Sequence, residues 1–172
     1  MNLLSNDFDI FGITPTFGLN RDALDQRWKD LQREAHPDRF STADAQAQRQ
    51  AMQWSVRINE AYQRLKDPLK RAAYLCELNG APIQAENNTA MPAAFLMQQM
   101  QWREDLEEAR DSEALERMAD EVAASRQTML TQLQQTADEQ RDFTALAQQV
   151  RALMFVERFA RDVENRLDQL GQ

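Results

Sequence analysis

The chain has 172 residues, 42% of them hydrophobic, enough for one large domain or two small ones with a buried core. Four Gly and five Pro provide little material for turns, and no run of alternating β-branched residues occurs, so the expected fold is all-α. One Cys and one His exclude a disulfide framework and any ordinary His/Cys metal cage, and a net charge of −8 argues against nucleic-acid binding.

The start, Asn2-Leu3-Leu4-Ser5-Asn6-Asp7, lacks the basic region and the long apolar stretch of a signal peptide, and it is too acidic for a transit peptide. No run of about 18 apolar residues follows. The expectation is a cytoplasmic protein without a membrane span. Charge divides the chain. Residues 1–79 hold 11 Lys+Arg and 11 Asp+Glu, whereas residues 80–172 hold 9 Arg and 17 Asp+Glu, so the whole excess lies in the second half. That asymmetry suggests two functional regions, although an acidic half is also what a solvated, soluble surface requires.

Asp7 to Phe11 reads as a short helix ended by Gly12. Asn20 is a good N-cap for a second helix, Arg21 to about Ala35, with the stripe Leu24, Trp28, Leu31 and Ala35. Pro37 disfavours helical geometry at His36 and should stop it there. Ser41-Thr42-Ala43-Asp44 resembles a capping box ahead of a third helix that runs to about Lys66. Met52, Ile58, Ala61, Tyr62 and Leu65 form its expected inward face. Asp67-Pro68 reads as N-cap and first-turn proline of a fourth helix, closed by Asn79-Gly80. Cys76 sits in its apolar run and reads as a small buried hydrophobe rather than a nucleophile, since nothing brings His36 near it.

Gly80, Pro82, Asn87, Asn88 and Pro92 mark residues 80–92 as a linker between two domains, 1–79 and 93–172. Three amphipathic helices follow, about 93–109, 112–136 and 139–169, with Ser112 capping the middle one. Their stripes are Leu115, Met118, Val122, Met129 and Leu133, then Phe143, Leu146, Val150, Leu153, Ala160 and Leu167. Short turns between them predict an antiparallel three-helix bundle.

His36-Pro37-Asp38 is weak as a bare tripeptide. Its context strengthens it: a basic helix before it, a long capped helix after it, then Ile58-Asn59-Glu60-Ala61-Tyr62-Gln63-Arg64-Leu65-Lys66-Asp67-Pro68 with Arg71 and Tyr74. Upstream, Phe8-Asp9-Ile10-Phe11-Gly12-Ile13 fits the first helix. This pattern resembles the J-domain family over roughly residues 5–79. The proline stiffens the turn, and Asp38 can pair with an arginine on a partner. Arg27, Lys29, Arg33 and Arg39 lie on or beside the same hairpin and suit an acidic surface. The resemblance implies docking on the ATPase of a DnaK-type chaperone through these residues. The alternative for the basic residues is an ordinary solvated helix face.

The fifth helix has two apolar sides. At about 100° per residue, Phe95, Trp102, Leu106 and Ala109 share a stripe for the bundle core. Leu96, Met97 and Met100 fall away from it, and a thin bundle cannot bury both sides. Glu104 and Glu108 continue that outer side and Gln101 adjoins it. Phe155 falls nearly opposite the core stripe of the last helix. An exposed apolar patch rimmed with acids reads as a protein-binding site, unless the first domain covers it.

Ala94-Phe95-Leu96-Met97-Gln98-Gln99-Met100-Gln101-Trp102-Arg103-Glu104-Asp105-Leu106-Glu107-Glu108 resembles the C-terminal domain of the HscB family of iron–sulfur cluster co-chaperones. The two-domain plan is similar too. The resemblance implies a bundle that binds an IscU-type scaffold through Leu96, Met97, Met100, Gln101, Glu104, Glu108 and Phe155, and presents it to an HscA-type chaperone. Gln101 departs from the glutamate expected there. Eukaryotic members carry a pair of Cys-x-x-Cys motifs that this sequence lacks, so it resembles the bacterial form. No cofactor, no metal site and no enzymatic activity are expected: one His, one Cys and no glycine-rich phosphate loop leave little to catalyse with. The rival reading is a J-domain co-chaperone with a different protein client.

Overall fold

The computed structural model describes residues 2–40, 42, 44–84 and 91–171. Seven α-helices and no strands occur among them. The helices gather into two compact units, Met1–Leu75 and Cys76–Gln172.

The first unit opens with α1 (Asp7–Phe11). Asn6 caps it by accepting the Asp9 N–H at 2.9 Å, and Gly12 ends it at φ 65°, a left-handed conformation that glycine adopts without strain. Helices α2 (Arg21–Ala35) and α3 (Ala45–Lys66) form a hairpin. Its rungs show that the two run antiparallel. Near the start of α2, Trp28 stacks on Tyr62 at 4.6 Å and the Tyr62 hydroxyl donates to Asp25 at 2.7 Å. Near its end, the Ser55 hydroxyl donates to Gln32 at 2.8 Å. Phe8, Ile10 and Phe11 of α1 are buried together with Leu24, Ile58 and Leu65 of the hairpin. Helix α4 (Pro68–Leu78) starts as expected, Asp67 accepting the N–H groups of Leu69 and Lys70. Gly80, at φ 77°, ends it while Ala81 N–H reaches back to the Cys76 carbonyl at 2.8 Å.

Two polar anchors in this unit have no signature in the sequence. Asp7 is fully buried and pairs with Arg57 and Arg64, and the Tyr74 hydroxyl accepts its N–H. Arg71, also buried, donates to the carbonyls of Phe17 and Leu65, which ties the loop after α1 to the α3–α4 corner.

The second unit holds α5 (Ala93–Glu108), α6 (Ser112–Gln134) and α7 (Phe143–Leu170). Trp102 of α5 meets Glu121 and Phe159, whereas Arg126 pairs with Glu157 and Gln149 bonds Thr136. Residue numbers therefore rise along α7 as they fall along α6, the antiparallel arrangement the short turns predict. A single π-helical turn, Gln135–Gln140, joins α6 to the reversal, and Arg141 turns the chain at φ 53°.

Several local expectations need correction. Asp44, not Ser41, caps α3, accepting the Ala47 N–H at 2.7 Å; Ser41 and Ala43 lie outside the described residues. Asp111, not Ser112, caps α6, and α7 begins at Phe143 under an Asp142 cap rather than at 139. Met52 is 54% exposed, and Ala51, one position back, takes its place in the core. Leu31 and Met129 are half-buried, each beside a cavity. On α7, Val156, Phe159 and Val163 are buried where Phe143, Ala160 and Leu167 are only half-buried. That helix touches both α5 and α6, so its buried arc is wider than one stripe. Asn87 and Asn88 of the expected linker lie outside the described residues, while Ile83 is buried and its carbonyl accepts from Arg151 at 2.9 Å.

Candidate functional site: an exposed turn and an apolar helix face

Pro37 acts on the residue before it. His36 adopts φ −60° and ψ 132°, extended geometry that ends α2. Pro37–Phe40 then form one 3-10 turn, closed by Arg39 N–H to the His36 carbonyl at 3.0 Å. The Asp38 N–H donates to His36 Nδ1 at 3.2 Å, which holds the imidazole over the turn. Gln48 of α3 donates to the Phe40 carbonyl and fastens the far end. The result is a stiff turn that exposes two of its side chains, His36 by 55% and Asp38 by 94%. The Asp38 carboxylate stands in water, 3.6 Å from His36 Nδ1.

The flanking cations separate into two groups. Lys29 and Arg33 lie one turn apart on α2 and are exposed, with Arg33 3.6 Å from Asp30. Arg39 is exposed on the turn itself. Arg27 is half-buried and lines the opposite side of α2, at a cavity of about 410 Å³ walled by Leu31, Ala35, Phe40, Trp54 and Ile58. Two residues along a helix is a rotation of about 200°, so Arg27 and Lys29 cannot share a face.

In the second unit, α5 buries Trp102, Leu106 and Ala109, and Phe95 is half-buried. The outer side carries Leu96, Met97 and Met100, exposed by 43%, 70% and 64%. Gln101, Glu104 and Glu108 are exposed beside them, and the Gln101 amide is taken by Asp105 at 2.9 Å. Phe155 is not fully exposed, contrary to expectation. It is half-buried at a small cleft of about 100 Å³ between α5 and α7, where Gln99, Trp102 and Arg103 form the facing wall. Arg158 lies over its ring at 5.5 Å. Gln99 and Arg103 adjoin Met100 on α5, but neither exposed methionine lines the cleft. Sequence reasoning overlooked Gln99, Arg103 and Arg158. Only the three-residue spacing of Phe155 and Arg158 was readable as an i,i+3 pair.

Cys76 behaves as a buried hydrophobe. It is fully buried, its thiol faces the Phe143 carbonyl at 3.8 Å, and burial pushes its pKa up to about 12. Among the described residues, no cluster of His, Cys, Asp and Glu could hold a metal ion, and no helix is long and apolar enough to cross a membrane.

Residues 91–164 match the family model described as the HSCB C-terminal oligomerisation domain. The co-chaperone protein HscB homolog of Bordetella petrii is 48% identical over 91% of this chain and 92% of its own length. The chain belongs to the HscB family of co-chaperones. The HscB homolog of Burkholderia multivorans is 44% identical over 99% of this chain and 98% of its own. Chaperone HscB from Vibrio cholerae superposes with a TM-score of 0.82 at 38% identity, covering 96% of this chain and 99% of that one. Human co-chaperone HscB superposes at 0.89 with 25% identity, covering 96% and 84%. The first unit is thus the J-domain and the second the C-terminal three-helix bundle of an HscB fold.

Proposed function

We propose that this chain stimulates the ATPase of an HscA/DnaK-type chaperone and delivers to it an IscU-type iron–sulfur cluster scaffold. The carrying observation is one chain with two unlike exposed surfaces: the stiff His36-Pro37-Asp38 turn in the J-domain, and the Leu96, Met97 and Met100 face in the bundle. The turn presents the Asp38 carboxylate to solvent, 3.6 Å from His36 Nδ1, and the exposed cations Lys29, Arg33 and Arg39 suit an acidic chaperone surface. Arg27, half-buried on the opposite side of α2, stands apart from these cations. On the bundle, apolar side chains rimmed by Glu104 and Glu108 suit a partner with an apolar spot inside a basic border, and Phe155 extends the apolar area. Gln101, already bonded to Asp105, is a minor member of the set.

Joining the two sites in one chain raises the local concentration of scaffold at the chaperone. The functional division is a J-domain of residues 1–79 and a scaffold-binding domain of residues 93–172, joined by residues 80–92. The chain itself performs no covalent chemistry, and the cluster stays on the scaffold.

Calorimetric titration with an IscU-type scaffold tests the reading. The wild type should bind, and a folded Leu96→Ala, Met97→Ala, Phe155→Ala variant should not. Absence of binding by the wild type would leave the J-domain fold intact but assign the bundle to another client.

A further inference from the structure

We infer that Met97 and Met100 form a peroxide-sensitive modification site that switches off client capture. The inference rests on the scaffold-binding reading of the bundle. Two observations carry it. The first is placement: Met97 and Met100, 70% and 64% exposed, stand within one turn of α5 in the middle of the only cluster of exposed large hydrophobics on that helix. The second is contrast with the other methionines. Met118 is buried at 7%, and Met91, Met129 and Met154 are half-buried. Met52 is exposed at 54%, but it lies on α3, away from the patch. The two most exposed methionines among the described residues are therefore those on the proposed docking face.

The chemistry needs no catalyst from this chain. A sulfur lone pair attacks one oxygen of hydrogen peroxide. An S–O bond forms as the O–O bond breaks, and the departing hydroxide takes the proton of the transferred oxygen and leaves as water. The thioether is oxidised to a sulfoxide and the peroxide is reduced to water. A flexible apolar side chain becomes a polar one with a strong acceptor oxygen, and methionine sulfoxide reductases reverse the change. Docking buries the side chain, so the new oxygen must give up its water without a partner placed to receive it. Because the oxidised groups face solvent, helix α5 and its buried Trp102 and Leu106 stay as they are. Folding is untouched while recognition is lost.

Graded peroxide treatment with peptide mass mapping should oxidise Met97 and Met100 before Met118, with Met52 as an exposed control outside the patch. Titration with an IscU-type scaffold then compares reduced, oxidised and reductase-repaired protein beside a Met97→Leu, Met100→Leu variant, which keeps apolar volume without an oxidisable sulfur. Oxidised wild type should bind at least about tenfold more weakly, repair should restore binding, and the leucine variant, whatever its own affinity, should bind equally before and after peroxide. Unchanged affinity of the oxidised wild type, or equal loss in the leucine variant, overturns the switch and leaves the scaffold reading standing. Failure of reduced wild type to bind removes that reading, and the switch with it.

Discussion

The carboxylate of Asp7 is fully buried and lies 2.8 Å from Nη2 of Arg57, which also donates to the Ser5 carbonyl through the same nitrogen. Arg64 approaches the other carboxylate oxygen at 3.3 Å. One buried acid thus ties the N-terminal segment to the middle of α3. Removing it leaves Arg57, only 16% exposed, without its counter-charge. Asp7→Ala should lower J-domain stability by about 3 kcal/mol, the scale for breaking a buried pair from one side. Urea unfolding followed by circular dichroism reads it, and a shift no larger than that of an Asp9→Ala control would show the pair to be idle.

Leu31 and Leu65 offer a graded test of the hairpin core. Leu65 is fully buried, whereas Leu31 is half-buried and already lines a cavity. Leu65→Ala should cost about 2–5 kcal/mol, and Leu31→Ala about 1 kcal/mol, because less contact is lost and no closed void is made. Equal losses would mean that the cavity closes in solution.

Asp38→Asn should abolish stimulation of an HscA-type ATPase without moving the melting temperature, since the side chain is 94% exposed. Lys29→Glu and Arg33→Glu should slow association and flatten its salt dependence by roughly tenfold in rate at low salt, a long-range charge effect. Arg27→Glu should instead destabilise the hairpin, because Arg27 packs at the cavity. The chaperone's steady-state ATPase and thermal melts together separate the two outcomes.

Cys76 supplies a pH prediction. Its folded pKa of about 12 lies above the ordinary thiol value of 9.0, so between them the folded chain holds a proton that the unfolded chain has lost. Its stabilising share is complete below pH 9.0 and is lost as pH rises towards 12. Thiol labelling at pH 8 should be negligible in native protein and rapid in urea. Prompt labelling of the native chain would contradict the burial.

What the sequence revealed depended on how local the cause was. Asn20, Asp67 and Gly80 act on their own neighbours, so helices α2 and α4 were legible to the residue. Ser112 and Asp111 are both competent caps side by side, and it is Asp111 that takes extended backbone and accepts the Ala114 N–H. Met52 was assigned inward on its apolarity, yet Ala51 shares the face of Ile58, Ala61 and Leu65, about 100° away. The outer face of α5 was readable because the helix has more apolar residues than one stripe can hold. The half-burial of Phe155 was not, since Gln99, Trp102 and Arg103 reach it from another helix. Asp7 with Arg57, fifty residues apart, likewise has no local pattern.

The π-helical turn after α6 acts at a distance from itself. Thr136, nearly buried inside it, accepts the side-chain amide of Gln149 at 2.9 Å, in the second turn of α7. That contact indexes one helix against the other, as a tooth fixes a rack. A slip by one turn would carry every later residue of α7 about 5.4 Å along its axis. Phe155 would then leave the cleft it shares with Gln99 and Arg103, and Phe159 would leave the face of Trp102. The register that lines the α5–α7 cleft is thus shared with a hydroxyl at the other end of the bundle, and replacing Thr136 should be felt at Phe155 and Phe159 without touching either.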